Sequence, residues 1–145
     1  MEKTKGICVE SNLRKISDVS AVSMYRFDRY GRSCTMSLFY SEDEIKVDWI
    51  RKRVRLTDQT VQLEDNLILV IFEETKIAGG IKASEKLLVI ISEEIDADIF
   101  CGVVECKKKN EGTLVINKLV NLINYAITNG HRNEVIDSSY LDGVY

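Results

Sequence analysis

The chain has 145 residues, of which 45% are hydrophobic and 30% charged, with a net charge of −3. That length suits a single domain able to bury roughly two-thirds of the surface its unfolded form exposes, and the scattered, nearly balanced charge leaves no electrostatic footprint for a nucleic acid or a membrane surface. No apolar run approaches the ~18 residues of a membrane span, and "MEKTKGICVESNLRK" lacks the apolar core of a signal peptide, so neither membrane insertion nor export is expected.

Cys8, Cys34, Cys101 and Cys106 include no CxxC pair. Cys34 and Cys101 lie in apolar runs, where thiols behave as small hydrophobes, so a reduced, cytoplasmic protein is expected. The chain contains no proline. Nor does a Gly/Ser-rich linker, repeat or low-complexity block interrupt it, so one unit is expected over 1–145, with a core from about 11 to 136 and a short polar tail over 137–145.

Residues 11–29 place Leu13, Ile16, Val19, Val22, Met24 and Phe27 at mostly three-residue steps behind Ser11, a helix with an N-cap, which "RYGRS" terminates. "CTMSLFY" (34–40) has the apolar and aromatic content of a buried strand. "SEDEIKVDWIRKRVRL" returns to helical spacing, with Ile45, Trp49, Ile50 and Val54 facing the core.

"QTVQL" and "LILVIF" flank Glu64, Asp65 and Asn66, the composition of a hairpin turn, and this pair is expected at the centre of the sheet. Residues 75–90 mix helical charge spacing with Gly79, Gly80 and "LLVII"; a helix is expected. "ADIFCGVVEC" is a strand and "KKKNEG" a solvated turn. "TLVINKLVNLINYAIT" is a periodic helix stopped at Asn129-Gly130, and "NEVID" (133–137) is a candidate last strand. The expected class is an α+β (α/β) sandwich, a central sheet flanked by helices.

Several stretches in this order resemble the GGDEF domain, the family that includes the diguanylate cyclases, from about residue 11 to 136. "RYGRSCTMSLFY" is similar to the family's helix end and first strand, "RLTD" to its inhibitory-site RxxD, and "LILVIFEET" to the strand after the signature hairpin. "IFCGVVE" and "NYAITNGHRN" resemble its later strand and closing segment. The resemblance implies a mostly antiparallel, palm-like sheet and a bacterial cyclic di-GMP signalling role, with the first active-site helix shortened or missing.

Aligned without gaps, the family signature falls on Glu64, Asp65, Asn66, Leu67 and Ile68, and none of its residues is retained. The family's cyclisation uses carboxylates to hold two divalent cations, which activate a ribose hydroxyl and neutralise a triphosphate; Leu67 offers a metal nothing. The metal carboxylate expected at the end of the first strand falls on Tyr40, or on Glu42 or Asp43 after a register shift. The phosphate-contacting Lys falls on Ile127, and Glu64 and Asp65 replace the glycines that let backbone N–H groups approach phosphate. Most of the guanine-reading segment is missing. Catalysis is therefore not expected, no catalytic residue, metal or cofactor is assigned, and only a set such as Glu42, Asp43 and Asp65 would offer an alternative.

The family's inhibitory site binds cyclic di-GMP through RxxD, with its Asp five residues ahead of the signature. Gln59 to Leu63 supply the same spacing here. Guanine's O6/N7 edge accepts an Arg fork, and its N1–H and amine suit a carboxylate. An i,i+3 ion pair on a helix's last turn, worth ~0.2–0.5 kcal/mol, also accounts for Arg55 and Asp58; the register favours binding.

Arg51, one turn earlier, is expected to join Arg55 on one face, or to belong to a solvated basic face with Lys52 and Arg53. Glu42, Asp43 and Glu44 read as acids complementing a helix start, and His131 as a surface residue of a turn. The expected partners are cyclic di-GMP and a protein partner or second copy; the competing reading is a ligand-free interaction or dimerisation scaffold.

Overall fold

The structure is a computed structural model that describes residues 33–107 and 112–141. The helix expected over 11–29 and most of the "KKKNEG" turn lie outside those residues. The described elements are β1 (Cys34–Ser41), α1 (Val47–Arg51), β2 (Gln59–Glu64), β3 (Leu67–Glu73), α2 (Ile77–Ser92), β4 (Ile99–Cys106), α3 (Gly112–Asn129) and β5 (Glu134–Asp137), followed by a 3₁₀ turn at Ser138–Leu141.

The strands form one sheet in the order β2-β3-β1-β4-β5. Three neighbouring pairs are antiparallel, and β4 with β5 is parallel, the crossover being α3. The centre is therefore β1, with β3 beside it and β2 at an edge, which corrects the expectation that the hairpin sits in the middle. Apolar content alone could not rank β1 against β3, because both are buried on two faces.

Strand alternation divides the core into two layers. Met36, Leu38, Leu69, Ile71 and Val104 pack under α3 against Leu119, Leu122, Ile123 and Ala126. Phe39, Ile68, Val70, Phe72, Cys101 and Val103 pack on the opposite face against Leu87, Leu88 and Ile91 of α2 and Ile50 of α1.

Helix α2 forms over its two glycines because Gly80, Ser84, Leu87, Leu88 and Ile91 make one buried seam. The small residues let it lie close to β1: Ser84 and Ser37 hydroxyls meet at 2.5 Å. At its start no side chain of the adjoining residues caps it; instead the Glu105 carboxylate of β4 accepts the Ile77 N–H at 2.9 Å, a negative charge at the positive end of the helix.

The sixteen-residue helix expected over 41–56 is reduced to the five residues of α1. Backbone groups that would have made its first turn go elsewhere: Ser41 N–H donates to the Asn66 carbonyl at 3.2 Å and Ile45 N–H to the Asp65 carbonyl at 2.9 Å. Glu42, Asp43 and Glu44 thus precede the helix rather than open it, and Asp48 occupies its first turn. Ile45 and Ile50 are buried as expected, with Trp49 and Val54 packed partly against them.

α3 closes at Asn129 with Gly130 at φ +72°, the left-handed stop expected from Asn-Gly. His131 stacks on Tyr125, with ring centroids 5.5 Å apart, and lies 3.3 Å from the Glu134 carboxylate. Among the described residues, no helix is long and apolar enough to cross a membrane.

Cys34, Cys101 and Cys106 are buried free thiols. Burial, then the neighbouring Cys106, Glu73 and Glu105, pushes the Cys34 thiol from 9.0 up to about 12, and burial raises Cys101 as well. A raised thiol pKa means that the unfolded chain releases its proton first. This contribution to stability is complete below pH ~9 and is lost as pH rises toward 12, by up to ~1.4 kcal/mol per pH unit for each thiol. Denaturant midpoints should stay level below pH ~9 and fall along that slope between pH ~9 and 11, and Cys34→Ser should flatten it.

Candidate functional site

Arg55 and Asp58 lie in the turn that joins α1 to β2, not on a helix: α1 ends at Arg51, and Asp58 N–H closes the turn onto the Arg55 carbonyl at 3.0 Å. Within the turn the Asp58 carboxylate accepts Arg55 Nη2 at 2.8 Å, Arg55 Nε at 3.2 Å and the Arg55 backbone N–H at 2.9 Å. It also accepts the Glu73 N–H of β3 at 3.2 Å. Its side chain is 3% exposed, whereas that of Arg55 is 56% exposed.

The guanidinium in turn reaches across to the start of the β3–α2 connection. Nη2 donates to the Glu73 carbonyl at 2.6 Å and to Thr75 Oγ1 at 2.9 Å. The connection bends sharply, with Glu74 at φ +52°, and Thr35 Oγ1 of β1 ties it down by donating to the Thr75 carbonyl at 2.7 Å. The Asp58 hydrogen bond holds Arg55 still more firmly protonated than an ordinary arginine.

A surface cleft of about 530 Å³ opens between this turn and α2. Its apolar floor includes Val54, Phe72, Leu87 and Ile90, and its charged groups are Arg53, Arg55, Lys82, Lys86 and Asp58. Only Arg55 is matched by that carboxylate. Among the described residues, Arg53, Lys82 and Lys86 have no salt bridge, so three cations line the cleft without an ion-pair partner. Arg51 is exposed at the end of α1 and is not among the cleft's lining residues; the chain leaves helical geometry after it, which removes the helical basis for placing it on Arg55's face.

The other candidate region is the β2–β3 hairpin. Its turn, Asp65-Asn66, is clamped to the end of β1, since Asn66 Nδ2 donates to the Ser41 carbonyl at 2.8 Å in addition to the two backbone bonds already described. Leu67 and Ile68 are 1% and 0% exposed and belong to opposite core layers. Tyr40 is the strand partner of Leu67 and packs toward Phe100, ring centroids 6.3 Å apart; burial and then Glu42 raise its phenol. Among the described residues, no group of three or more His, Cys, Asp or Glu side chains is placed to hold a metal ion, so Glu42, Asp43 and Asp65 are not gathered into one.

No protein-family model matches the sequence, and no curated protein matches it. Solved structures do. The GGDEF domain of DgcB from Caulobacter crescentus, in complex with c-di-GMP, superposes with a TM-score of 0.74 at 11% identity, over 95% of this chain and 98% of that one. The fold is that of a GGDEF domain. The active GGEEF domain of a diguanylate cyclase from Vibrio cholerae gives 0.69 at 10% identity, over 86% and 95% of the two chains. Diguanylate cyclase SiaD from Pseudomonas aeruginosa, in complex with its activator SiaC, gives 0.63 at 10% identity, over 86% of this chain and 57% of that one.

The residues on which the sequence alignment puts the signature form a hairpin whose outward turn carries Asp65 and Asn66 and whose next two side chains are core. The pair of divalent cations implied by the resemblance does not fit these residues, because Leu67 has no ligating atom and, among the described residues, no three His, Cys, Asp or Glu side chains are gathered. Lys82 and Lys86 were missed by the sequence reading. Their i,i+4 spacing on one helix face was visible, but nothing in the linear order pairs them with Arg55, 27 and 31 positions earlier.

Proposed function

We propose that this chain is a catalytically inactive GGDEF-like domain that binds cyclic di-GMP at the Arg55–Asp58 cleft and passes that state to a protein partner. The observation that carries the reading is the cleft itself. An RxxD pair in the family's register borders a concave site with an apolar floor and three cations that form no salt bridge, chemistry suited to a ligand with two phosphodiesters and two planar bases. The hairpin supports inactivity, since buried Leu67 and Ile68 stand where carboxylates would be needed to hold the divalent cations that neutralise a triphosphate. Buried free thiols fit action in a reducing cytoplasm.

Calorimetry of the intact chain with cyclic di-GMP tests the receptor reading: heat of binding is expected, and none at high micromolar ligand would sink it. Incubation with GTP and Mg²⁺ is expected to yield no cyclic di-GMP by chromatography; turnover would overturn the inactive assignment.

A ligand-free docking module is the second reading. The observation favouring it is that the Asp58 carboxylate is fully occupied within the chain and 3% exposed, as in a purely structural staple. SiaD in complex with its activator shows a protein of this fold with a protein partner. The same titration separates the two readings.

A further inference from the structure

We infer that the outer face of α2 pairs two copies of this chain, the helices running antiparallel about a two-fold axis at Val89. The inference names a partner for the domain and does not depend on the cyclic di-GMP reading.

The exposed side of α2 carries charge of opposite sign at its two ends. Lys82, Lys86, Val89 and Glu93 follow one another at steps of four, three and four residues, which places them on one face of a helix. All four are exposed, and Val89 is 57% exposed, an apolar side chain in open solvent. Helical hydrogen bonding continues past Ser92: Glu93 N–H donates to the Val89 carbonyl at 3.2 Å and Ile95 N–H to the Ile91 carbonyl at 3.2 Å. Glu93 therefore stays on the stripe, and exposed Asp96 follows directly beyond it. Among the described residues, none of Lys82, Lys86, Glu93 and Asp96 forms a salt bridge. The inner side of the helix, with Ser84, Leu87, Leu88 and Ile91, is buried against the sheet.

Reversed end for end, the stripe is complementary to itself. Lys86 lies three residues before Val89 and Glu93 four after it, while Lys82 and Asp96 are each seven away. With a rise of about 1.5 Å per residue, an antiparallel copy centred on Val89 brings Lys86 within about 1.5 Å, along the axis, of the level of Glu93 of the second copy. Lys82 comes level with Asp96 of the second copy, and Glu85, on the other flank, with Ser92 rather than with a carboxylate. The two-fold axis repeats each lysine–carboxylate pair around a contact between the two Val89 side chains.

A parallel arrangement would set lysine against lysine and carboxylate against carboxylate, which is repulsive. Charge thus selects the antiparallel pairing, and because both copies present the same patch the contact closes at two. Each ion pair is exposed, hence weak and screened by salt, so the dimer belongs to high protein concentration and low ionic strength.

Sedimentation equilibrium of the full chain, from about 10 µM to about 1 mM protein in about 20 mM and about 500 mM salt, tests the inference. The expected result is a mass that rises with concentration toward twice the monomer value in low salt and stays near the monomer value in high salt. A monomer at every concentration overturns the inference and leaves the receptor reading standing.

Charge reversal locates the contact. Lys86→Glu and Glu93→Lys, each checked for folding by circular dichroism, set like charges opposite one another in their own homodimers, and each is expected to raise the dimer dissociation constant by roughly tenfold or more. Mixed in equal amounts the two variants are expected to dimerise again, because one copy then presents two acids where the other presents two bases; loss of folding would not mimic that recovery. A homodimer of either variant as tight as that of the wild type, or a mixture that stays monomeric, overturns the inference.

Discussion

Arg55→Ala is expected to raise the dissociation constant for cyclic di-GMP by about 30-fold to several thousandfold, the ~2–5 kcal/mol lost when one partner of a hydrogen-bonded charge pair is removed. Two effects compete in that variant, and their magnitudes separate them. The pair with Asp58 joins an arginine that is 56% exposed to a carboxylate that is 3% exposed, so its loss costs more than the ~0–1 kcal/mol of a fully exposed pair. Asp58 also keeps the backbone N–H groups of Arg55 and Glu73 as partners, so the turn should persist. Thermal unfolding is expected to shift by a few degrees while calorimetric binding disappears in practice. Arg55→Lys retains the charge but cannot span Asp58, the Glu73 carbonyl and Thr75 at once, and its affinity should fall between the two. Unchanged affinity in Arg55→Ala would remove the ligand from this cleft.

Gly80→Val is expected to cost ~3 kcal/mol or more, lowering the melting temperature by roughly 6–12 °C for a chain of this size. A Cβ at this position would overlap Thr35 Cγ2 and lie 2.9 Å from Thr35 Cβ. Thr35 is 0% exposed on the central strand, and its hydroxyl holds the Thr75 carbonyl. Turning that side chain aside would therefore leave a buried donor unpaired. Gly80→Ala suffers the same overlap, partly offset by the ~1 kcal/mol that alanine gains over glycine in a helix, so a net loss of ~1–2 kcal/mol is expected.

The neighbouring Gly79 is the control. It is exposed, its Cβ would come no closer than 3.2 Å, to Thr75 Cγ2, and its alanine variant should be close to neutral. Because Lys82 and Lys86 ride on the same helix, Gly80→Val should also weaken ligand binding where the protein remains folded; chemical denaturation and calorimetry on one preparation would show both effects.

Long, strongly periodic segments were legible. The helix from 113 to 128 and its Asn129-Gly130 stop, the strand at 34–40, the strand expected over 97–106 and found at Ile99–Cys106, and the hairpin turn between Leu63 and Leu67 fall within a residue or two of where pattern and turn chemistry put them, because each rests on local preferences that tertiary contacts reinforce. The helix expected over 41–56 is where local preference lost. Its spacing was helical, yet Ser41 and Ile45 give their N–H groups to the hairpin turn, a partner 20 or more positions away that no window along the sequence contains. The chain also leaves helical geometry after Arg51, so the expected helical i,i+3 pair of Arg55 and Asp58 is instead a turn stapled to β3.

By itself the sequence determined a central sheet flanked by helices, through fully apolar strands and the periodic apolar spacing of the helices. It also determined the chemistry available: Leu67 and Ile68 within the stretch that aligns with the family signature, and an RxxD whose Asp58 stands five residues ahead of that stretch. Only the tertiary structure decided what surrounds Arg55 and Asp58. Sheet order placed β1 at the centre, and close packing over Gly80 brought α2 against it. The sharp β3–α2 bend then set Lys82 and Lys86 across from Arg55, while enclosing Asp58 among backbone donors. Charge and side-chain type are local properties of a chain; which charges face one cleft, and which carboxylate is already occupied, depend on contacts between residues far apart along it.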